Sequence, residues 1–482
     1  MAVVISDILL SLLPALASYI LILFCKKLFL RRRRNPQTAG NKAEEDSDKP
    51  EKLPPGKTDG PFLSETRDFY SKFQDKVLHE FVLERINKYS SKIFKTSLIG
   101  QPVAVFSGPE GNKFLFSNRP ELLRHWIPTT IQQLLPATVS NDKKQIHEMR
   151  KFYTSSLRGD SLKSYVRIFD STIKEFLQTS WNDAEEEKDE MISKLAQKYA
   201  VTSGCKIFLG INDQRKIDEL EEYIKAMTVG IYSTPINFPG TDFHRAIKSS
   251  QKLFQGIAEI IRQRKIGKDA TSSDHPDIIS HFVQSSSTGI DRHGQLLSED
   301  QIATYISGFF VGSYSGIHTT IAHVINHLAE LPQVYHMVLR EQEEIASSKG
   351  ANEALQWEDV MKMKYSWNVV CETLRLKING GGYKEALHDF NFGGYTIPKG
   401  WKLHWNLSAT HWNPEYFPDP EKFDPSRFEG DGPAPYTFIP FGGGGRMCPG
   451  NEFAKFSILI FIHNLVTNSV GKSKFPMKLS VA

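Results

Sequence analysis

The sequence predicts a mostly α-helical protein with a small β portion. Apolar side chains recur at helical spacing over residues 69–89, 145–157, 162–181, 188–209, 217–227 and 243–265. Strand-like stretches are shorter: residues 93–98 and 102–106 flank Gly100 and Gln101 as a β-hairpin, and residues 392–397 and 402–405 have strand character. The chain has 482 residues, of which 40% are hydrophobic, and shows no internal repeat. The chain can therefore bury a large core, as one big catalytic domain or as two smaller ones.

Composition excludes several classes of protein. The formal charge of +4 is small for this length, which does not indicate a nucleic-acid-binding protein. The four cysteines, at positions 25, 205, 371 and 448, form no CxxC pair. This spacing argues against a disulfide framework and a cysteine-rich zinc module, and it fits a reducing compartment.

The N-terminal segment predicts a membrane anchor. Residues 8–24 carry no charge and are just long enough to span a bilayer, and a basic cluster follows at residues 26–34. Because positive charge stays on the cytosolic side, we expect a single-pass anchor helix over residues 1–30, a basic then acidic polar linker over 31–52, and a cytosolic catalytic domain over 53–482. A cleaved secretory signal is the alternative, but its charges would precede the apolar stretch.

Residues 441–450 are the stretch that suggests chemistry. Cys448 is a candidate thiolate ligand for haem iron, and the four glycines at 442–445 would let the backbone approach a flat macrocycle. Arg446 is placed to pair with a haem propionate, and Pro449 suits the first position of a following helix. The alternative is a glycine-rich surface loop with an incidental cysteine. The spacing fits neither a dinucleotide fingerprint nor a P-loop.

This stretch resembles the signature of the cytochrome P-450 superfamily, Phe-x-x-Gly-x-Arg-x-Cys-x-Gly. Phe441, Gly444, Arg446, Cys448 and Gly450 match it. The resemblance implies the cytochrome P-450 fold and a haem cofactor, iron protoporphyrin IX, with Cys448 as the axial metal ligand.

Two further motifs fit the resemblance. Glu372 and Arg375 lie three residues apart on one helix face, and the family joins such a pair to a second arginine, here Arg427, in a buried network beneath the haem. A helix-surface salt bridge is the alternative for Glu372 and Arg375. Arg150 occupies the position of a propionate-binding arginine, although Ile146 replaces the aromatic residue four positions earlier; a solvent-facing arginine is the alternative.

The helix expected over residues 298–331 should cross the distal face of the haem. Where the family places an acid and an alcohol that relay protons to oxygen, this chain has Ser315 and Gly316. We therefore expect a degraded relay in which Ser315, Thr319 or ordered water substitutes. Two other departures are the glycines at 380–382, which replace a proline pair and should cost backbone stiffness, and an unusual tail over residues 469–482.

Histidines on the same helix allow a rival interpretation. His323 and His327 have the i, i+4 spacing of a zinc pair. No glutamate follows His323 directly, and no third ligand is evident. We prefer histidines on a partly polar helix face.

Within the superfamily the likeness is closest to plant triterpenoid oxidases, including β-amyrin 28-oxidases. It runs over residues 53–466, and its most specific part is residues 434–440. It implies a monooxygenase of the endoplasmic reticulum membrane that uses O2 and electrons from an NADPH-dependent reductase on an apolar isoprenoid, with residues 235–240 at the substrate entrance and residues 53–57 as a proline hinge. A haem-thiolate isomerase or dehydratase and a non-catalytic haem protein are the alternatives.

Overall fold

The computed structural model describes residues 52–57, 64–98, 101–117, 119–135, 143–179, 188–266, 277–280, 298–350, 353–378 and 380–467. The expected anchor over residues 1–30, all of the linker except Lys52, and the tail over residues 469–482 lie outside them. Across the described ranges, no helix is long and apolar enough to cross a membrane.

Helices dominate the fold, so the predicted class, mostly helical with a small β portion, is confirmed. The α-helices are α1 Ser64–Gln74, α2 Leu78–Tyr89, α3 Gly108–Phe116, α4 Thr129–Leu134, α5 Lys143–Leu157, α6 Gly159–Thr179, α7 Lys188–Gly204, α8 Gln214–Tyr232, α9 Asp242–Lys265, α10 Glu299–Glu330, α11 Pro332–Ser347, α12 Trp357–Lys362, α13 Lys364–Lys377, α14 Leu407–His411 and α15 Asn451–Thr467. The strands are β1 Ile93–Leu98, β2 Gln101–Phe106, β3 Leu123–Trp126, β4 Gly381–Ala386, β5 Phe390–Phe392, β6 Tyr395–Ile397 and β7 Lys402–Asn406.

The main sheet has five strands in the order β1-β2-β7-β4-β3. Only the β2–β7 pair is parallel; the other pairs are antiparallel. The segment expected to form a proline hinge, residues 53–57, contacts the edge of this sheet: Gly56 bridges to Lys95, whose N–H donates to the carbonyl of Pro55 at 2.7 Å. The stiff segment that enters the domain is thus fixed to its edge strand.

Helix α10 is the long helix predicted over residues 298–331. Ser298 caps it in a reciprocal capping box with Gln301. It packs against α7, α9, α13 and α15 within the largest apolar cluster of the protein. Since α15 follows Cys448 directly and is buried on nearly all sides, the core fixes both the distal helix and the cysteine-bearing loop.

Several predicted boundaries were wrong for local reasons. Residues 69–89 form two helices, because the chain turns at Lys76, which has φ 60°. Residues 188–209 begin as α-helix but end in a π-helical turn, Cys205–Leu209. Pro449 lies in a turn two residues before α15 begins at Asn451, so it does not hold the first helical position.

Glycines explain why the structure of the C-terminal β region differs from the prediction in two places. The stretch at 392–397 is a hairpin, β5–β6, whose turn is made by Gly393 and Gly394 with φ of 61° and 80°. The glycines at 381 and 382 do not loosen the backbone: both lie in β4 and pair with β7. A Cβ on Gly382 would fall 2.2 Å from the indole ring of Trp405, so the side chain of Trp405 occupies that space.

Candidate functional site

A tight loop over residues 441–450, hereafter the Cys loop, carries Cys448. The N–H of Cys448 donates to the carbonyl of Phe441 at 2.9 Å, and that of Met447 donates to Gly444 at 3.1 Å. Gly442 and Gly444 adopt φ of 70° and 66°, which a residue with a Cβ rarely adopts. The loop therefore folds back on itself and presents Cys448 just before α15.

The glycines of the Cys loop divide into two pairs. A Cβ on Gly443 would lie 2.7 Å from the ring of Phe116, and one on Gly444 would lie 2.1 Å from the carbonyl oxygen of Phe116. Around Gly442 and Gly445 there is open space. The lack of a Cβ at Gly443 and Gly444 therefore makes room for Phe116, and the approach of all four glycines to a macrocycle stays a prediction.

Cys448 differs from the other two cysteines in the described ranges. Cys205 and Cys371 are buried, and burial raises the pKa of Cys371 to about 12. Cys448 is only partly buried. Burial raises the pKa of its thiol, but a hydrogen bond from the N–H of Gly450 and the charges of Arg150 and Arg158 oppose that shift. Cys448 is thus the accessible thiol with groups around it that favour a thiolate.

Four cationic or basic side chains gather beside the Cys loop. Arg150 donates to the carbonyl of Met447 at 3.2 Å. Burial and the charge of Arg158 lower the pKa of Arg150, and burial and the charge of Arg150 lower the pKa of Arg446. Burial and Arg446 lower the pKa of Lys384 to about 8, and burial, Arg446 and Lys384 lower the pKa of His125 to about 3. In the part of the chain that the structure describes, no carboxylate pairs with Lys384. Such a group calls for an external anion, and the propionates of haem suit it.

Sequence reasoning missed His125 and Lys384, because neither belongs to a motif. They are direct cross-strand partners in the β3–β4 pair. Only the register of the sheet brings them together.

Glu372, Arg375 and Arg427 do come together. Arg375 makes a two-pronged ion pair with Glu372, at 2.7 and 2.8 Å, and both side chains are fully buried. Arg427 lies 3.4 Å from the same carboxylate, which also accepts the N–H of Asp424 at 2.9 Å. Arg375 further donates to carbonyls of the segment that leads to the Cys loop: those of His411, Pro420 and Lys422. The network therefore ties α13 to that segment.

The distal helix α10 presents an open face that includes Gly312, Gly316 and Thr319. Nothing lies within 4 Å of the position that a Cβ would take on Gly312 or Gly316. The hydroxyl of Thr319 is 3.3 Å from Nε2 of His318, whose Nδ1 contacts the carbonyl of Tyr314. The hydroxyl of Thr320 is instead bound to the carbonyl of Gly316 at 2.7 Å. Thr319 and the half-buried Ser315 are thus the hydroxyls available on this side.

The two histidines considered as a zinc pair have other surroundings. His327 packs its ring against Phe423, with centroids 4.4 Å apart. Burial, followed by the charge of Lys377, lowers the pKa of His323 to about 4 and that of His327 to about 3. Over the described residues, no group of three or more His, Cys, Asp or Glu side chains is placed to hold a metal.

The loop at residues 235–240 exposes large apolar side chains. Ile236 is 56% exposed and Phe238 is 67% exposed. Val229 and Tyr232, at the end of the preceding helix α8, are also exposed. All four residues lie between positions 229 and 238 of the chain.

The fold and this site define a haem protein with a cysteine ligand. The accessible thiol of Cys448, the side chain of Lys384, for which no carboxylate partner lies among the described residues, and the open face of α10 fit such a cofactor. The chain belongs to the cytochrome P450 family, whose model matches residues 54–469. It is a cytochrome P450 monooxygenase, an oxidoreductase that holds haem through a cysteine thiolate.

Curated relatives cover most of the chain. A β-amyrin 6-β-monooxygenase of Solanum lycopersicum is 44% identical, over 86% of each chain. A β-amyrin 28-monooxygenase of Panax ginseng is 40% identical, over 96% of this chain and 94% of its own. The solved structure of retinoic-acid-bound cyanobacterial CYP120A1 superposes with a TM-score of 0.73 at 27% identity, covering 86% of this chain and 92% of its own. These monooxygenases do not favour the isomerase or non-catalytic alternatives.

Proposed function

We propose that this protein is a membrane-anchored monooxygenase that hydroxylates or oxidises a triterpenoid, sterol or related isoprenoid, with O2 and electrons from an NADPH-dependent reductase. The observation that carries the proposal is the Cys loop, which presents the partly buried thiol of Cys448 next to Met447, whose carbonyl accepts from Arg150. The β-amyrin relatives support the substrate class. The exposed apolar surface at Ile236 and Phe238 supports contact with a bilayer of the endoplasmic reticulum.

Three sets of residues would hold the cofactor: Cys448, the basic side chains beside the Cys loop, and the buried network of Glu372. Cys448 would be the ligand of the haem iron, within the Phe441–Gly450 loop whose turns depend on Gly444. Arg446 and Arg150, joined by Lys384 and His125, would bind the propionates. The Glu372–Arg375–Arg427 network would keep the Cys loop against the core. When bound, haem supplies the activation of O2, and electron donation by a thiolate favours cleavage of the O–O bond.

Proton supply falls to the residues of α10. If Nδ1–H of His318 donates to the carbonyl of Tyr314, then Nε2 is free to accept the proton of the Thr319 hydroxyl. This contact orients the lone pairs of Thr319 away from His318. We infer that Thr319 accepts a hydrogen bond from a water molecule on the open face and holds it there as a proton donor, with Ser315 one turn earlier as a second hydroxyl, in place of an acid–alcohol pair. Gly316 leaves room there for water or for the substrate.

Reconstitution tests this proposal. The full-length protein in microsomes, with an NADPH-dependent reductase and a panel of triterpenes that includes β-amyrin, should release a product that carries one added oxygen. Product should require both NADPH and the reductase. NADPH consumption that yields only peroxide with every member of the panel would contradict the proposal. Product formed from a hydroperoxide without the reductase would instead favour the isomerase or dehydratase alternative.

A further inference from the structure

Phe116, the last residue of α3, joins the Cys loop to the sheet. Its side chain is only 7% exposed. On one side its ring and carbonyl fill the space that Cβ atoms of Gly443 and Gly444 would need, at 2.7 and 2.1 Å. Contacts this close to backbone leave the Cys loop little freedom to move toward α3.

Trp405 of β7 supports Phe116 from the other side. The two rings meet edge to face, with centroids 5.5 Å apart and an interplanar angle of 71°. The indole of Trp405 in turn covers Gly382, its direct partner across the β4–β7 pair. The contacts thus run without a gap from the sheet through Trp405 and Phe116 to the loop that carries Cys448.

Gly443 shows that side-chain packing sets this arrangement. Its φ of −157° is ordinary extended backbone that alanine also adopts. Conformation alone therefore does not require glycine at this position. The requirement comes from the ring of Phe116.

We propose that Phe116 is a positioning residue, which holds the Cys loop so that the sulfur of Cys448 stays directed at its ligand. The proposal rests on Cys448 being the haem ligand. Phe116 acts through packing alone and touches no reacting atom. Its loss should therefore change how firmly the thiolate is held more than it changes the fold.

Phe114 provides a matched control for this proposal. It lies on the same helix, is 9% exposed, and contacts Phe106, Phe390 and Phe392 rather than the Cys loop. Phe116→Leu and Phe114→Leu remove the same ring from equally buried positions. Both should lower thermal stability to a similar extent.

The test is the spectrum of the reduced, carbon-monoxide-bound holoprotein, with the reduction potential as a second measurement. Phe116→Leu should raise the ratio of thiolate-lost to thiolate-ligated protein several-fold and shift the potential, whereas Phe114→Leu should leave both as in the wild type. Equal spectra and potentials for the two variants would overturn the proposal. A wild type without the thiolate-type band would instead overturn haem ligation by Cys448, so the two failures are distinguishable.

A second set of variants tests the same contact from the loop. Gly443→Ala places a Cβ against the Phe116 ring, whereas Gly256→Ala in α9 places one in open space and is the control. We expect loss of the thiolate-type band in Gly443→Ala, no loss in Gly256→Ala, and recovery of the band when Gly443→Ala is combined with Phe116→Leu. Additive loss in the double variant would contradict the proposal.

Discussion

Replacing Arg375 by methionine tests the buried network that ties α13 to the segment leading to the Cys loop. Arg375 makes two hydrogen bonds to Glu372, at 2.7 and 2.8 Å, and donates to the carbonyls of His411, Pro420 and Lys422. Without it, the fully buried carboxylate of Glu372 retains the Asp424 N–H and the more distant Arg427. Leaving a buried charge so poorly compensated costs about 3–5 kcal/mol.

Arg262 is the matched control. It pairs with Glu259 at 3.0 Å at the same i, i+3 spacing, but both side chains are about half exposed. Because solvent screens exposed pairs, Arg262→Met should lower the free energy of unfolding by no more than about 1 kcal/mol.

Urea unfolding followed by circular dichroism measures both costs. The double variant Glu372→Met/Arg375→Met should recover only part of the loss, since it removes the fully buried carboxylate but leaves Arg427 without that partner. If the loss of unfolding free energy in Arg375→Met lies within about 1 kcal/mol of the loss in Arg262→Met, the reasoning is refuted. Such a result would mean that the carboxylate of Glu372 reaches solvent or another partner.

Three further outcomes are expected. A threonine side chain at position 316 has open space, so Gly316→Thr should raise the ratio of product formed to NADPH consumed. Thr319→Ala should lower that ratio. Ratios equal to that of the wild type would exclude both positions from proton supply. Burial lowers the pKa of His411 to about 3, so the folded protein keeps this side chain neutral, whereas the unfolded chain takes up a proton below pH 6.5. The free energy of unfolding should therefore fall by about 2 kcal/mol between pH 6.5 and 5 because of His411, and His411→Gln should lack this fall. Parallel curves of unfolding free energy against pH for the variant and the wild type would contradict this expectation. Ile236→Ser/Phe238→Ser should weaken binding of the protein to phospholipid vesicles in a flotation assay, and unchanged binding would remove the loop from the membrane contact.

Features that depend on local sequence were predictable. The hairpin at β1–β2, the extent of α10 and the pairing of Glu372 with Arg375 follow from spacing along the chain, because the residues involved are close in sequence. Boundaries failed where a single residue decides the backbone, as at Lys76 and at Gly393 with Gly394.

Features that depend on distant pairing were not predictable. His125 and Lys384 meet only because β3 and β4 adopt one register, and Gly443 meets Phe116 only because α3 ends against the Cys loop. Glycines at 381–382 suggested a loose backbone because the sequence does not reveal that Trp405 will cover them. Each of these contacts joins segments separated by two or more elements, where spacing carries no information.

The central claim is that the sulfur of Cys448 ligates haem iron, and the spectrum of the reduced, carbon-monoxide-bound protein tests it most directly. The wild type and a Cys371→Ala control, in which a buried cysteine is removed, should both show the red-shifted Soret band of a thiolate-ligated haem. Cys448→Ala should abolish that band. A wild type that lacks the band, or a Cys448→Ala variant that keeps it, would contradict the account.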